Sequence, residues 1–289
     1  MPPSADRGPA GPTGTATFGE RVRAALRALG PLCVGIDPSP ALLDVFGLLD
    51  DADGLLSFGE ACVRELDGVV AAVKPQVAFF ERHGARGISA FERIVAAARG
   101  AGMLVIADAK RGDIGTSNQG YAEAWLADDS PLAVDALTAS PYLGVGALTP
   151  LVEQAARAGR GVFVLARTSN PEGDRLQGAR MPPGGTVAED VVSQARAWNR
   201  GSAAGAVGVV VGATVPDTVA LADLGGAVLV PGVGAQGGTA SDAHQVTASA
   251  ASHSVVVSVS RALSDLGPDP RRLAAAAQRW RDDLARTLS

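Results

Sequence analysis

Eight short apolar runs recur along this chain, most of them rich in valine and each about the length of one strand. They are Leu32–Ile36, Val69–Val73, Met103–Ala107, Leu132–Leu137, Gly161–Ala166, Ala206–Gly212, Ala227–Val230 and Val255–Val259. Successive runs start roughly 20 to 45 residues apart, the repeat of a strand–helix unit. Their hydrophobicity is continuous rather than alternating, which suits parallel strands buried on both faces. Apolar periodicity predicts helices between them at Leu55–Leu66, Phe91–Ala98 and Val187–Trp198. Phe18–Leu29 reads as a helix before the first run, and Arg271–Leu288 as a terminal one. Eight such units predict a single-domain α/β chain, a (β/α)8 TIM barrel over residues 17–289. The rival, an open Rossmann-like sheet, needs a glycine fingerprint opening the first helix, and Gly35-Ile36-Asp37-Pro38 is not one.

The bulk numbers narrow the function classes. A net charge of −5 with 4% aromatic residues argues against a nucleic-acid surface, which needs basic patches and stacking side chains. The longest apolar stretches are strand-sized, so no membrane span is expected. Residues 1–16 are rich in Pro, Gly, Ala and Thr and lack the apolar centre of a signal peptide, which predicts a disordered tail and a cytoplasmic protein. Cys33 and Cys62 have no metal or CxxC spacing and read as buried free thiols in a reducing compartment.

Of 25 Lys+Arg residues, only Lys74 and Lys110 are lysine. A chain this poor in lysine uses arginine wherever only charge is needed, so the surviving lysines mark sites where a compact ammonium that can release a proton is needed. The bland reading is chance survival under a GC-rich coding bias that favours arginine. Lys74 follows the second apolar run. Lys110 sits in Asp108-Ala109-Lys110-Arg111-Gly112-Asp113, directly after the third. In a strand, Asp108 and Lys110 point the same way, into the mouth where barrel active sites are built. With Lys74 and Asp113 they make a set of two ammoniums and two carboxylates, each holding its neighbours charged. An ion-pair network that only seals the barrel is the bland reading, but apolar packing usually stabilises as well.

Other polar residues also stand where the apolar runs end. They are Asp37, the Thr168-Ser169-Asn170 turn, the glycine-rich run Gly232–Gly238 and Arg261. The last two follow the seventh and eighth runs, where barrels commonly hold phosphate. Glycines there let backbone N–H groups approach an anion, and arginine adds a bidentate clamp.

Together these motifs resemble a known family. Asp108-Ala109-Lys110-Arg111-Gly112-Asp113-Ile114-Gly115 is similar to the D-x-K-x-x-D-I signature of orotidine 5′-phosphate decarboxylases, and Pro231–Gly238 is similar to their phosphate loop. Arg167-Thr168-Ser169-Asn170-Pro171 and the insert after it resemble the branch found in mycobacteria and some other bacteria. The resemblance runs from about Phe18 to the end of the chain.

It implies a cofactor-independent carboxy-lyase with no metal, acting in the last step of de novo pyrimidine nucleotide synthesis. Its substrate would be orotidine 5′-phosphate and its products uridine 5′-phosphate and carbon dioxide. Lys110 would protonate the C6 carbanion and Asp108 would sit against the substrate carboxylate, while Lys74 and Asp113 complete the network. Asp37 would bind ribose hydroxyls, Ser169 the pyrimidine edge, and Gly234, Gln236, Gly237 and Arg261 the 5′-phosphate. Asp113, Ile114 and Ser117 would reach the neighbouring subunit's site, implying a homodimer with shared active sites. Ser117 stands where the family usually has threonine, and it keeps the hydroxyl. The insert Pro171–Pro183 and the Gly234–Thr239 loop are candidates to move over the ligand.

Two other readings stay open. A metal-dependent sugar-phosphate lyase of the same superfamily would use Asp108 as a ligand with an acidic partner nearby, where this chain has Lys74 and neutral Gln76. A non-catalytic phosphate-ligand binder would be expected to lose one of the four charged residues. His83, His244 and His253 have no ligand spacing and are expected at the surface. Trp125, Trp198 and Trp280 are expected in packing, Asp50–Asp53 in a solvated turn, and Arg271, Arg272, Arg279 and Arg281 on the exposed face of the last helix.

Overall fold

Parallel strands follow one another around a closed ring in chain order. The computed structural model describes residues 16–201, 205–234, 236–251, 253–261 and 269–288. The expected disordered tail therefore lies outside the described residues, except for Ala16. The strands are β1 (Leu32–Ile36), β2 (Ala72–Pro75), β3 (Leu104–Arg111), β4 (Ala136–Ala139), β5 (Gly161–Arg167), β6 (Val207–Val211), β7 (Val228–Val230) and β8 (Val255–Val259). Pairing of β8 with β1, Val257 opposite Leu32, closes the barrel. This is the (β/α)8 architecture expected from the repeat.

The helices around it are α1 (Phe18–Leu29), α2 (Pro40–Val45), α3 (Ala52–Leu66), α4 (Val77–Glu81), α5 (Gly84–Gly100), α6 (Gly115–Leu126), α7 (Thr149–Arg157), α8 (Asp174–Gln177), α9 (Val187–Arg200), α10 (Ala240–Val246) and α11 (Pro270–Thr287). Several begin at a side chain that satisfies otherwise orphaned N–H groups. Thr17 with Glu20 starts α1, Thr186 with Glu189 starts α9, and Thr239 with Asp242 starts α10. Asp51 accepts the N–H of Gly54 and caps α3, so the Asp50–Asp53 run is a helix start rather than only a solvated turn.

Alternation along each strand divides the apolar residues between two cores. Val34, Val73, Val105 and Val164 face outward and pack with Phe58, Phe91, Trp125 and Leu151 of the helices. Phe91 meets Phe80 and Trp125 edge-on, at 5.4 and 5.6 Å between ring centres. Trp198 and Trp280 also pack against this outer core, as expected of them. Cys33, Leu104, Ile106, Phe163, Leu229 and Val256 fill the barrel, and Phe18, Val22 and Leu26 of α1 join them from below. The helix thus stoppers the N-terminal end. Gly161 opens β5 because a Cβ there would meet the Phe18 ring at 2.2 Å. Arg21 of α1 donates to the buried Asp135, which also accepts the N–H of Val105 at 3.0 Å. Both cysteines are buried and free.

Two apolar runs sit three or four residues ahead of their strands. Val69 and Val70 are buried but belong to the turn leaving α3, where both N–H groups donate to Leu66. Leu132–Val134 likewise leads into β4. In both places the apolar run reports burial under the barrel floor, not the hydrogen-bonded ladder. Among the histidines, His244 and His253 are exposed, but His83 is not. Its side chain is 17% exposed and Nε2 lies 3.2 Å from Asp50 Oδ1. No described helix is long and apolar enough to cross a membrane.

Candidate active site

Asp108 accepts hydrogen bonds from four side chains at the C-terminal end of the barrel. Lys74 Nζ reaches Oδ2 at 2.7 Å and Gln76 Nε2 reaches it at 3.2 Å. Lys110 Nζ reaches Oδ1 at 2.5 Å, and the Thr138 hydroxyl reaches it at 3.2 Å. Burial pushes the Asp108 carboxyl up, but the ammoniums of Lys74 and Lys110 outweigh it and hold the group well below the usual carboxylate range. Burial likewise opposes charge on Lys74. The carboxylates of Asp108 and Asp37 more than offset that and raise its pKa. The result is an ionised Lys74–Asp108 pair, with Lys110 Nζ held against the second carboxylate oxygen.

A break in the ladder builds this arrangement. Ala107 pairs with Leu137 and Arg111 with Ala139, so Asp108, Ala109 and Lys110 together stand opposite Thr138 alone. Such a bulge re-aims side chains. Lys110 takes a φ of +48°, a left-handed conformation that costs an L-residue about 1–2 kcal/mol. Its N–H, which has no ladder partner there, donates to Thr138 Oγ1 at 3.0 Å.

A cavity of about 290 Å³ opens above Lys74, Asp108 and Lys110. It is lined by Asp37, Lys74, Gln76, Asp108, Lys110, Thr138, Ser169, Gln236, Ser260 and Arg261, among others. Asp37 Oδ2 accepts the Ser260 hydroxyl at 2.5 Å, while its Oδ1 is buried without a hydrogen-bond partner among the described residues. Such an orphaned acceptor suits a hydroxyl donor on a ligand. Ser169 crosses the mouth over Gly212, where a Cβ would lie 2.6 Å from its Oγ. Its loop is latched to the insert: Gln177 Oε1 accepts the Thr168 N–H at 2.8 Å, and Arg167 pairs with Asp174 at 2.5 Å. Among the described residues, no three His, Cys, Asp or Glu side chains are grouped so as to hold a metal ion.

The orotidine 5′-phosphate decarboxylase / HUMPS family model matches residues 30–277. An orotidine 5′-phosphate decarboxylase of Corynebacterium glutamicum is 49% identical over 257 residues, 88% of this chain and 92% of that protein. One from Salinispora arenicola is 49% identical over 94% of this chain and 99% of its own length. The chain belongs to the orotidine 5′-phosphate decarboxylase / HUMPS family. A provisionally assigned orotidine 5′-phosphate decarboxylase structure from Streptomyces avermitilis shares the fold. It has a TM-score of 0.89 and 47% identity, over 96% of this chain and 97% of that one.

Against the family's expected site, seven residues converge on the cavity: Asp37, Lys74, Asp108, Lys110, Ser169, Gln236 and Arg261. Five do not line it. Asp113 turns its Oδ1 back to the N–H of Ile114 at 2.7 Å, and Ile114 and Ser117 are exposed beyond it. The expected four-charge set is therefore a set of three within one chain. Gly234 and Gly237 shape the loop after β7, and their N–H groups are taken up by Gly238 and Gly234 carbonyls. Ala235 lies outside the described residues. Sequence reasoning missed Thr138 and Gln76 as partners of Asp108. Thr138 directly follows the fourth apolar run, as Asp37 and Asp108 follow the first and third, and that position was its available signal. Gln76 lies two residues beyond Lys74, the same alternation that links Asp108 and Lys110, and that was the available signal.

Proposed function

We infer that this chain decarboxylates orotidine 5′-phosphate to uridine 5′-phosphate and carbon dioxide. The observation that carries the reading is Lys74 Nζ, 2.7 Å from Asp108 Oδ2. A sugar-phosphate lyase would place a divalent cation against Asp108, and an ammonium already fills that side of the carboxylate. The 49% identity to named decarboxylases over most of the chain points the same way.

In this reading the C6–carboxylate bond breaks heterolytically. Carbon dioxide leaves, and the electron pair stays at C6 in an sp² orbital that the ring does not delocalise. The preorganised ammonium of Lys110 stabilises that charge and then gives C6 a proton, which water restores to the amine. Asp108, held ionised, faces the departing carboxylate and keeps Lys110 aimed. Asp37 Oδ1 accepts a ribose hydroxyl, Ser169 meets the pyrimidine edge, and Gln236 and Arg261 hold the phosphate, with Gly234 and Gly237 setting the loop between them. Phosphate binding, remote from C6, supplies energy to order the Pro171–Pro183 insert and the Gly234–Thr239 loop over the site.

The active form is a homodimer in which Asp113, Ile114 and Ser117 complete the neighbouring site. Support comes from apolar exposure beside them: Ile114 is 61% exposed, Tyr142 75% and Leu143 53%. A second cavity of about 690 Å³ shares Asp37, Asp108, Lys110 and Arg261 with the first and opens outward over Phe79 and Glu81. A cytoplasmic location fits a free-thiol enzyme of nucleotide synthesis.

The test is the loss of orotidine 5′-phosphate absorbance in the presence of a chelator, for the wild type and for Lys110→Ala. Rapid conversion that the substitution lowers by at least about 10³-fold is expected. Conversion of a hexulose phosphate only, and only with magnesium, would move the chain to the lyases. Phosphate-ligand binding with neither activity would leave a binder.

A further inference from the structure

We propose that Thr138 is a positioning residue that sets the reach and aim of Lys110 through the backbone. The observation is the bulge itself: three residues of β3 share one partner on β4, and that partner is a buried threonine, 1% exposed. Its hydroxyl oxygen accepts the Lys110 N–H at 3.0 Å. Its single proton has two acceptors in range, Asp108 Oδ1 at 3.2 Å and Ala107 O at 3.4 Å. One hydroxyl offers one donor and two acceptor sites, so it can hold both ends of the Asp108–Lys110 pair at once.

The left-handed φ of Lys110 gives this contact its leverage. Without an acceptor for its N–H, the residue gains by relaxing to an ordinary extended conformation. Relaxation swings Cβ and carries Nζ away from Asp108 Oδ1. Valine at 138 keeps the shape and removes both hydrogen bonds, whereas serine keeps the oxygen. The methyl group is thus dispensable and the oxygen is not.

The inference rests on the decarboxylase reading for its kinetics but not for its geometry, so two measurements are paired. Thr138→Val lowers kcat on the order of 10²-fold, as expected for an ångström-scale misplacement of a reacting group. KM stays within about threefold, because the phosphate contacts are untouched, and Thr138→Ser recovers most of the loss. Amide hydrogen exchange follows the peptide covering residues 104–113 in the same proteins. Its exchange quickens at least about tenfold in Thr138→Val, through local opening, and returns toward wild type in Thr138→Ser. Unchanged exchange in a folded Thr138→Val protein overturns the clamp whatever the enzyme does. Faster exchange with unchanged kcat overturns the positioning role. A wild type without decarboxylase activity sinks the functional reading, with the exchange result still deciding the clamp. Should Thr138→Val fail to fold, Thr138→Ala and Thr138→Ser make the same comparison.

Discussion

Lys74 Nζ stands 2.7 Å from Asp108 Oδ2, and the two side chains are only 7% and 12% exposed. Their shifts have opposite signs and the same consequence. The lowered carboxyl of Asp108 contributes stability that is present above its unfolded value, about 4, and is lost as pH falls through its folded value. The raised ammonium of Lys74 contributes stability that is present below its unfolded value, about 10, and is lost as pH rises through its folded value. Neither group titrates between about pH 5 and 9. The difference in unfolding free energy between wild type and a Lys74→Met/Asp108→Asn double variant is therefore expected to be flat over that range and to change below about pH 4. Urea unfolding at stepped pH measures it, and a steady slope through pH 6–8 would contradict the assignment.

Removing one partner is expected to cost far more than removing both. Lys74→Met leaves Asp108 buried with a single ammonium, a loss of about 3–5 kcal/mol for a broken buried pair. The double variant, which leaves no uncompensated charge at that contact, is expected to regain much of this. Denaturant midpoints for the two variants decide the matter, and equal destabilisation would show that the pair is not coupled.

Cys33 and Cys62 are buried, and burial pushes each thiol up to about 12. Since the thiolate is the reactive form, neither is expected to react with a disulfide reagent in the native protein. Two thiols should titrate on unfolding. Reaction of either at neutral pH without loss of structure would be inconsistent with this packing.

Arg167 is buried at the end of β5 and pairs with Asp174 at 2.5 Å and Asp217 at 3.6 Å, tying the insert to the next loop. Arg167→Met is expected to loosen that tie. Trypsin cleavage after Arg175 and Arg180 should quicken severalfold, with the barrel intact, through local opening of the insert. Mass analysis of the fragments checks the prediction, and cleavage at the wild-type rate would place the anchor elsewhere, with Gln177 and Thr168.

How far the site was legible in the sequence depends on the kind of signal each residue leaves. Lys74 and Lys110 stood out because a chain otherwise using arginine kept lysine twice. Asp37, Ser169 and Arg261 followed from lying where apolar runs end. Thr138 also directly follows an apolar run, but its role depends on β3 carrying three residues against one of β4, and register between strands is not written in either strand alone. The same limit applies to Val69 and Val70, whose hydrophobicity seals a turn and so displaced the apparent strand from Ala72–Pro75. Asp113 could be assigned a chemical role by its motif, yet its carboxylate in this chain faces its own backbone.

The helix that fills the foot of the barrel with Phe18, Val22 and Leu26 also fixes how traffic must run. The chamber is closed at that end, so whatever reacts at its floor enters and leaves at the C-terminal mouth. Spent nucleotide departs along the path its successor must take, and the gas released in the reaction shares that corridor. Arrival and clearance thus compete for the same mouth, so each cycle must empty it before the next can begin.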